Sequence, residues 1–517
     1  MLTVADRAQQ GFFDASICGG LVPKDSIYAL LATHGHRIVR DEDFADCYSD
    51  RAGRPSIPPS LLAKVLLLAY RDGLSDERAM EALRFDLRFK VALDLPIDHP
   101  GFHSTSLVRF RARLLLHGKE RLVFERSLSL AKELGLIEGS TEQIVDSTPM
   151  LGAAAVQDTV TLVRSGVRRL LDAVRSCNTE AGRELEQGLR FDYARPRERP
   201  AGDWQDKASR EALLGEVATD AQRALRALER EEELTGEGPV AEAARLLREI
   251  VGQEFEVADE EVPRVRGGRR TRQVLSAHDP EMRHGRKTRA KPFTGYKLHA
   301  AAATEAPLLA SICVSPGNEH DGQHAQTLVE AEPAERRPQR VIGDTAYGNI
   351  ETREALEGCS VAVLAPLDTT SPKDGTVPKD AFAIELEAGT VTCPRGETAQ
   401  MQRPDPRGER LARFARRACK PCPLRERCAP GGRRAIRISR REDLRQDAAR
   451  VLSDPDERSH LHRVRPRIER LLGLIVHRYR GRKARYRGVR KATLQAAWTA
   501  VLVNLHPLGT ALRAQEA

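Results

Sequence analysis

Apolar residues recur every three or four positions through the first part of the chain, which is the spacing of an amphipathic helix. The clearest run is Leu61, Leu62, Val65, Leu66 and Ala69. Asp72-Gly73 interrupts this run, and Ser75 then stands where a helix N-cap is expected, ahead of Asp76 and Glu77 in the first turn. The pattern therefore predicts a helix, a turn and a second helix.

A further helix is predicted from about Ser104, and its arginines Arg109, Arg111 and Arg113 form a candidate DNA-binding face. Helix-turn-helix sequence patterns are loose, so two interpretations of residues 1–137 stay open. The block is either an N-terminal helical DNA-binding domain or an ordinary helical bundle whose arginines face water.

The period of the apolar residues changes after this block. Gln143–Thr148 predicts a short buried strand that ends in an acid, Asp146. From Thr159 to about Gln253 the helical spacing returns, which predicts an acidic antiparallel helical insertion that acts as a spacer or an oligomerisation arm. From Phe293 onward the pattern is β-rich, with predicted strands at 296–300, 308–314, 340–344 and 361–365 and a helix at 321–330.

Strands that lie on both sides of a long helical stretch predict an α/β fold whose core is interrupted by inserted segments. The core would consist of residues 138–158 and 275–370, with the helical insertion at 159–274 between them. A basic, cysteine-rich insertion would follow at 371–450, and C-terminal helices at 451–517 would complete the core.

Length and composition exclude several classes of protein. The 517 residues exceed the roughly 250 to 300 at which one hydrophobic core stops growing, and 40% hydrophobic residues exclude wholesale disorder. No apolar run approaches the roughly 20 residues that span a bilayer, and the first residues, MLTVADRAQQ, lack the pattern of a signal peptide. A cytoplasmic protein, associated with the nucleoid when it is bound to DNA, is therefore expected.

The charge of the chain is unevenly distributed. The net charge is +9, but residues 179–261 contain 12 Lys and Arg against 22 Asp and Glu, a net of −10, so the remainder carries +19. Residues 403–440 hold 13 basic and 3 acidic residues, and residues 463–491 hold 12 basic and 1 acidic. Such density predicts a nucleic-acid partner, although an Arg-rich composition from a GC-rich genome would account for part of it.

Two aspartates have the same sequence context, each at the predicted end of a short apolar strand: Asp146 and Asp344. If these strands are parallel neighbours, both carboxylates lie at one edge of the sheet and can bind Mg²⁺. The alternative is that each merely caps a turn. The best third acid is Glu469, at the start of an arginine-rich helix, where it binds metal or pairs with the arginines. Asp456 and Glu457 are alternatives for this third position.

Six stretches of the sequence, in this order, resemble bacterial insertion-sequence transposases of the DDE class. They are Arg54–Pro59 with Leu107–Arg111, Val145–Thr148, Asp279–Lys287 with Phe293–His299, Gly317–Asp321, Gly343–Gly348, and the Glu469 helix with Ala500–Leu505. The resemblance implies a ribonuclease-H-like mixed sheet core and cut-and-paste recombination of DNA. In related enzymes a Tyr, an Arg, the catalytic Glu and a Lys follow at fixed intervals.

Arg465 and Glu469 match that pattern, whereas His462 stands at the Tyr place and Val476 at the Lys place. His477 and Lys483 are candidates to replace the Lys. The predicted DNA contacts outside the N-terminal block are His462, Arg465, Lys483, Arg485 and Arg487. Those from 478 to 490 would be sequence-independent phosphate contacts.

The expected catalyst consists of Asp146, Asp344 and Glu469 holding two Mg²⁺ ions, for which Mn²⁺ can substitute. The ions would activate water and then a DNA 3′-hydroxyl, while Arg465 holds the phosphate. The partners would be the element ends and target DNA, with several copies of the chain assembled on the DNA and no membrane involved. Two rival functions are a catalytically silent DNA-binding protein derived from a transposase and a stand-alone nuclease.

Four of the nine cysteines fall within 36 residues and have the spacing C-x25-C-x2-C-x5-C: Cys393, Cys419, Cys422 and Cys428. Cys-x-x-Cys with a third thiol nearby is typical of tetrahedral zinc, and the neighbouring prolines favour the turns of a zinc knuckle. The alternative is four unligated thiols, which the polarity of the segment disfavours. One structural Zn²⁺ is predicted here.

Overall fold

The computed structural model describes residues 2–3, 15–49, 55–137, 141–229, 238–256, 263–266, 268, 272–288, 290–367 and 376–516. Arg54, at the start of the first motif, lies outside these residues, as do 371–375 at the start of the predicted cysteine-rich insertion. No helix within the described ranges is both long enough and apolar enough to cross a bilayer.

The helices before the sheet and within the insertion are α1 (Ile27–Ile38), α2 (Pro59–Asp72), α3 (Asp76–Phe85), α4 (Leu87–Leu93), α5 (Thr105–Leu116), α6 (Leu122–Glu133), α7 (Thr159–Cys177), α8 (Thr179–Gln187), α9 (Lys207–Leu228) and α10 (Pro239–Glu254). The later helices are α11 (Ala325–Glu330), α12 (Ile350–Glu357), α13 (Arg416–Cys419), α14 (Arg425–Cys428), α15 (Glu442–Ser453), α16 (Pro455–Val464), α17 (Pro466–Gly473) and α18 (Val489–Glu516).

The strands are β1 (Glu142–Leu151), β2 (Phe255–Glu256), β3 (Arg264–Val265), β4 (Arg283–Thr288), β5 (Lys291–Ala303), β6 (Leu309–Pro316), β7 (Arg340–Ile342), β8 (Ala362–Leu364), β9 (Ala383–Glu385), β10 (Thr390–Thr392), β11 (Thr398–Gln400), β12 (Arg410–Arg413) and β13 (Ala435–Ile438). Short 3₁₀ helices occupy Ala15–Leu21, Glu42–Cys47, Asp321–His324, Ala334–Arg336, Thr345–Tyr347 and Lys379–Ala381.

The predicted helix-turn-helix is confirmed and its local causes are visible. Gly73 ends α2 in the left-handed conformation with φ 67°, which favours glycine. Ser75 then caps α3, because its side-chain oxygen accepts a hydrogen bond from the backbone N–H of Arg78. Gly73 and Ser75, two positions apart, thus end one helix and begin the next without help from distant parts of the chain.

A six-stranded mixed sheet forms the centre of the molecule, and the fold is mixed α/β. Its order is β4, β5, β1, β7, β8, with β6 also paired to β5. β1 is antiparallel to β5 and parallel to β7. β4 and β6 pair with successive parts of β5 on the edge opposite β1. The sheet therefore combines the strands predicted on both sides of the helical insertion.

The N-terminal helices and the C-terminal helix α18 share one hydrophobic core with one face of this sheet. Trp498 on α18 is buried and lies 6.3 Å, centroid to centroid, from the ring of Tyr70 on α2, as expected for a core residue. The buried amide of Asn504 exchanges two hydrogen bonds of 2.9 Å with the backbone of Leu309 on β6. The N-terminal block is thus packed directly against the central sheet.

The helical insertion, α7 to α10, has a hydrophobic core of its own. Gly166 on α7 permits close packing, because an added Cβ would lie 3.0 Å from Leu247 on α10. Asp220 is fully buried and accepts hydrogen bonds from the backbone N–H groups of Arg190 and Phe191 and from the hydroxyl of Tyr193. Helices α7 to α10 therefore lie, in chain order, between β1 and the other strands of the sheet.

The cysteine-rich segment also forms a small lobe with its own core. Strands β9 to β13 surround Phe382, Val391, Phe414 and Ile436. Helix α15 leads from this lobe back to the sheet and crosses position 450, so the predicted boundary falls inside a helix.

Candidate active site

The pairing of β1 with β7 places the two predicted aspartates side by side. Ile144 is paired with Ile342 in parallel register, and each aspartate follows two residues later. Asp146 itself lies in the middle of β1, not at the end of a strand as predicted, because β1 continues to Leu151 along β5. The expectation that the strands are parallel neighbours is confirmed.

The turn that carries Asp344 depends on two glycines. A Cβ on Gly343 would lie 2.7 Å from Cβ of Tyr347, whose ring is buried beneath the turn, and a Cβ on Gly348 would overlap the carbonyl of Pro366. Asp344 Oδ1 accepts a hydrogen bond of 2.9 Å from the N–H of Ala346. One oxygen of Asp344 therefore caps this turn, as the alternative interpretation held, and no hydrogen bond to a described residue engages the other.

Glu469 lies on α17, which packs across β1 and β5. Ile468, Leu471 and Leu472 bury one side of this short helix, and Arg467 donates a hydrogen bond to the carbonyl of Thr304 just beyond β5. The Glu469 side chain is 58% exposed, with Oε1 3.7 Å from Nη2 of Arg465. The helix therefore brings Glu469 to the sheet, while its carboxylate is turned towards the neighbouring arginine.

The electrostatics of Asp146 show that the three acids share one region. Burial raises the pKa of Asp146 to about 6, a backbone hydrogen bond from Ser147 and the charge of Arg465 oppose the shift, and the charges of Asp344 and Glu469 add to it. Like charges gathered on a half-buried site favour a bound cation. In the part of the chain that the structure describes, however, no three His, Cys, Asp or Glu side chains converge closely enough to hold a metal ion.

Glu457, an alternative third acid, is engaged elsewhere. Both of its carboxylate oxygens accept hydrogen bonds of 2.8 Å from Nη1 of Arg340, at the start of β7. Arg340 also binds Glu142 at the start of β1, and His460 on α16 lies 2.7 Å from the same carboxylate. This network, which the sequence patterns did not reveal, joins β1, β7 and α16, the elements that lead to the three acids.

Asp279, Glu281 and Tyr296, from the Asp279–Lys287 and Phe293–His299 stretches, have a structural role. Asp279 and the hydroxyl of Tyr296 both accept hydrogen bonds from the N–H of Gly488, and Glu281 accepts one from Val489. These groups satisfy the first N–H groups of α18. Segment 279–281 therefore fixes the C-terminal helix against the sheet.

The predicted basic face of α5 requires a correction. Arg111 is buried, and its guanidinium binds both carboxylate oxygens of Asp76 on α3. Arg113 is half-buried, with its guanidinium 4.5 Å from the ring centre of Tyr48. Of the three arginines, Arg109 alone is exposed. Arg111 therefore stabilises the helical block and is not available to bind DNA.

A second correction concerns Arg485. Its guanidinium donates a hydrogen bond to the carbonyl of Leu74 in the helix-turn-helix and lies 4.9 Å from the ring centre of Tyr70. Arg485 therefore joins the C-terminal segment to the N-terminal helices. Lys483, Arg487 and His462 are exposed and stay candidates for DNA contact. At the position of the family Lys, Val476 is buried, whereas the nearby His477 and Lys483 are exposed.

The four clustered cysteines line one cleft of about 210 Å³ in the small lobe, together with Arg395, Arg425 and Arg434. Burial raises the pKa of the Cys428 thiol, Arg434 opposes the shift, and the other three thiols add to it. The four sulfur atoms are therefore near one another. Within the described ranges, however, no three of these thiols lie close enough together to hold a metal ion.

Two family models match the chain: residues 18–113 match a Transposase domain (DUF772), and residues 265–505 match the Transposase DDE domain. No curated protein and no solved structure gives a significant match. The chain belongs to the insertion-sequence transposases of the DDE class, which are enzymes that act on DNA. Nothing observed supports the catalytically silent alternative.

Replacing Arg340 by Lys should lower the rate of DNA cleavage by about 10-fold, the low end of the effect of losing a group bonded to metal ligands, because Arg340 acts on the three acids only through β1, β7 and α16. Lysine keeps the charge but cannot form the paired bonds to Glu457 and Glu142. Single-turnover cleavage across a Mg²⁺ titration measures the effect, with Arg450→Lys, in an exposed ion pair with Asp447, as the matched control.

The Mg²⁺ concentration for half-maximal cleavage should rise in Arg340→Lys while DNA affinity stays constant. A lower melting temperature with an unchanged Mg²⁺ requirement would show that the network only stabilises the fold.

Proposed function

We propose that this transposase cuts the ends of its insertion sequence and joins them to target DNA by means of Asp146, Asp344 and Glu469 on a ribonuclease-H-like core. The observation that carries this proposal is the parallel register of β1 and β7, which aligns the two aspartates beneath α17. The strand order, with one long antiparallel neighbour and two parallel strands beside β1, supports the proposed core.

The proposed roles follow from the carboxylate oxygens that each side chain has available for a cation. Asp146 and Asp344 each bind one backbone N–H through Oδ1, which orients the carboxyl group and leaves Oδ2 for a cation. Glu469 would complete the site by rotating away from Arg465, which then pairs with a DNA phosphate. Two Mg²⁺ ions bound there would supply an activated oxygen nucleophile and stabilise the leaving oxygen.

Manganese diffraction tests the placement of this site. Crystals grown without metal and soaked in Mn²⁺ should show anomalous density among the carboxylates of Asp146, Asp344 and Glu469. Density that instead lies at Glu142 and Glu457, where Arg340 now binds, would contradict the assignment of the site.

We also propose that Cys393, Cys419, Cys422 and Cys428 hold one structural Zn²⁺. Their shared cleft and the mutual effect of the thiols on the pKa of Cys428 support this set of ligands. Thiolate ligation would remove four reactive thiols from solvent and join the two short helices α13 and α14 to the strand β10 side of the lobe.

Two or more copies of the chain on DNA would bring the two element ends together.

The two neighbouring arginines on α5 should differ sharply when each is replaced by Gln. Arg109→Gln should reduce the preference for the element ends over random duplex DNA and leave the melting temperature unchanged, since Arg109 is exposed. Arg111→Gln leaves Asp76 without its partner and should destabilise the protein by about 3 kcal/mol. Competition binding and thermal melting measure the two effects. Equal melting temperatures would contradict the burial of Arg111.

A further inference from the structure

Five basic residues from four separate segments meet at one corner of the molecule, which we call the cationic corner. Its members are Arg168 and Arg169 on α7, Arg197 after α8, His278, and Arg487 before α18. All five are exposed. The helical insertion therefore contributes three of the five groups, although residues 179–261 of that insertion carry a net charge of −10.

Hydrogen bonds on either side of His278 locate the corner. Arg169 Nη1 donates a 3.0 Å hydrogen bond to the carbonyl of Ala277, immediately before His278. Immediately after it, Asp279 accepts a 3.2 Å hydrogen bond from the N–H of Gly488, the neighbour of Arg487. His278 is therefore held between α7 of the insertion and the segment that leads into α18.

The electrostatics of His278 agree with this geometry. Desolvation lowers the pKa of His278 below its usual value, and the positive charges of Arg487, Arg197, Arg169 and Arg168 lower it further, in that order. Arg168 lies 3.5 Å from Asp172 in an exposed ion pair. Arg197 and Arg487 have no side-chain hydrogen bond or ion pair with any residue in the described ranges.

The segment that carries Arg487 is paired with β1, the strand that carries Asp146. Lys483, four residues before Arg487, is paired with Leu151 at the end of β1 by an isolated bridge, and the N–H of Ala484 donates a 2.8 Å hydrogen bond to the Leu151 carbonyl. Leu151 is five residues beyond Asp146 on the same strand, which corresponds to about 17 Å. A DNA duplex of two helical turns is about 70 Å long, which exceeds this distance along β1.

We propose that the cationic corner binds the phosphate backbone of double-stranded DNA, so that the helical insertion is part of the DNA-binding surface and not only a spacer. Like charges brought together from four segments repel one another unless a polyanion or counter-ions neutralise them. Exposed guanidinium groups without partners suit DNA phosphates, which they bind without regard to sequence. The inference rests on the DNA transposase function of the chain.

The test replaces Arg197 and Arg487 by Gln in the full-length chain and measures binding of a random-sequence duplex by fluorescence anisotropy across a range of salt concentrations. Each lost phosphate contact lowers the slope of log affinity against log salt by about 0.9, so the double variant should lose up to about 1.8 units of slope. Arg210→Gln with Arg226→Gln is the matched control, because both arginines are exposed on α9 and neither has a side-chain partner among the described residues.

The control pair should keep the slope of the parent protein. If the double variant also keeps that slope, the inference is overturned. If it keeps the slope but changes the oligomeric state in light scattering, the corner instead binds the acidic insertion of a second copy. Binding is measured without cleavage, so loss of the proposed catalytic site would leave this result unaffected, and the two proposals fail separately.

Discussion

Asp146→Asn and Asp344→Asn should each lower the rate of DNA-strand cleavage by about 10³-fold or more, with nearly unchanged affinity for DNA. Each substitution conserves side-chain volume and removes one negative charge from a site where three carboxylates repel one another. Metal ions supply several kcal/mol of transition-state stabilisation, and about 4 kcal/mol corresponds to 10³-fold in rate. Cleavage of a plasmid that carries the element, together with binding measured in Ca²⁺, separates the two effects.

Glu469→Gln should have the same effect, and it has a matched control in the same part of the chain. Asp456, an alternative third acid, is exposed at the start of α16, and Asp456→Asn should cleave at the parent rate if Glu469 is the third acid. Near-normal cleavage by Glu469→Gln would disprove the assignment of the third acid. Because the Asn and Gln variants remove repulsion, their melting temperatures should not fall, which excludes unfolding as the cause of lost activity.

Cys422→Ser should abolish zinc binding and unfold the small lobe formed by β9 to β13. Structural zinc contributes about 10 to 16 kcal/mol to the folding of small zinc-binding peptides, far more than a core of a few side chains can replace. Elemental analysis of protein purified without chelator should give one zinc per chain for the parent and none for the variant. Limited proteolysis should then cut the variant first between residues 376 and 440.

Cys177 provides the control for this experiment, since it is an exposed cysteine on α7, outside the lobe. Cys177→Ser should keep the full zinc content and the parent pattern of proteolysis. A parent protein free of zinc would show that the four thiols are unligated, and the lobe would then depend on its buried apolar residues alone.

The elements that the sequence predicted well are those with local causes. The turn at Gly73 and the cap at Ser75 lie within a few residues of the helices they separate, so neighbouring positions determine them. The strand that carries Asp146 was predicted, but its length was not. β1 extends to Leu151 because β5 offers it a pairing partner almost 150 residues further along the chain.

The sequence indicated the candidate residues of the site more fully than it indicated their arrangement. Asp146 and Asp344 stand in register because their strands pair, which the similar strand contexts indicated. Arg340, by contrast, carries no local signal, since its role exists only where β1, β7 and α16 meet. The sequence predicts Arg111 and Arg485 as surface cations that bind DNA, yet both guanidinium groups bind other parts of the protein. An arginine can bury its long aliphatic stem and pair its guanidinium wherever a distant carboxylate or carbonyl is available.

The sequence by itself determined the helix-turn-helix and the cysteine spacing, and it indicated a mixed α/β fold and three candidate acids, because each depends on short-range periodicity or on residue type at fixed intervals. The tertiary structure alone decided which cations face solvent, which acids Arg340 binds and which segments meet around His278. Those outcomes depend on contacts between residues tens to hundreds of positions apart. No local sequence pattern predicts them, because the free energy of such a contact depends on both residues together and not on either segment alone.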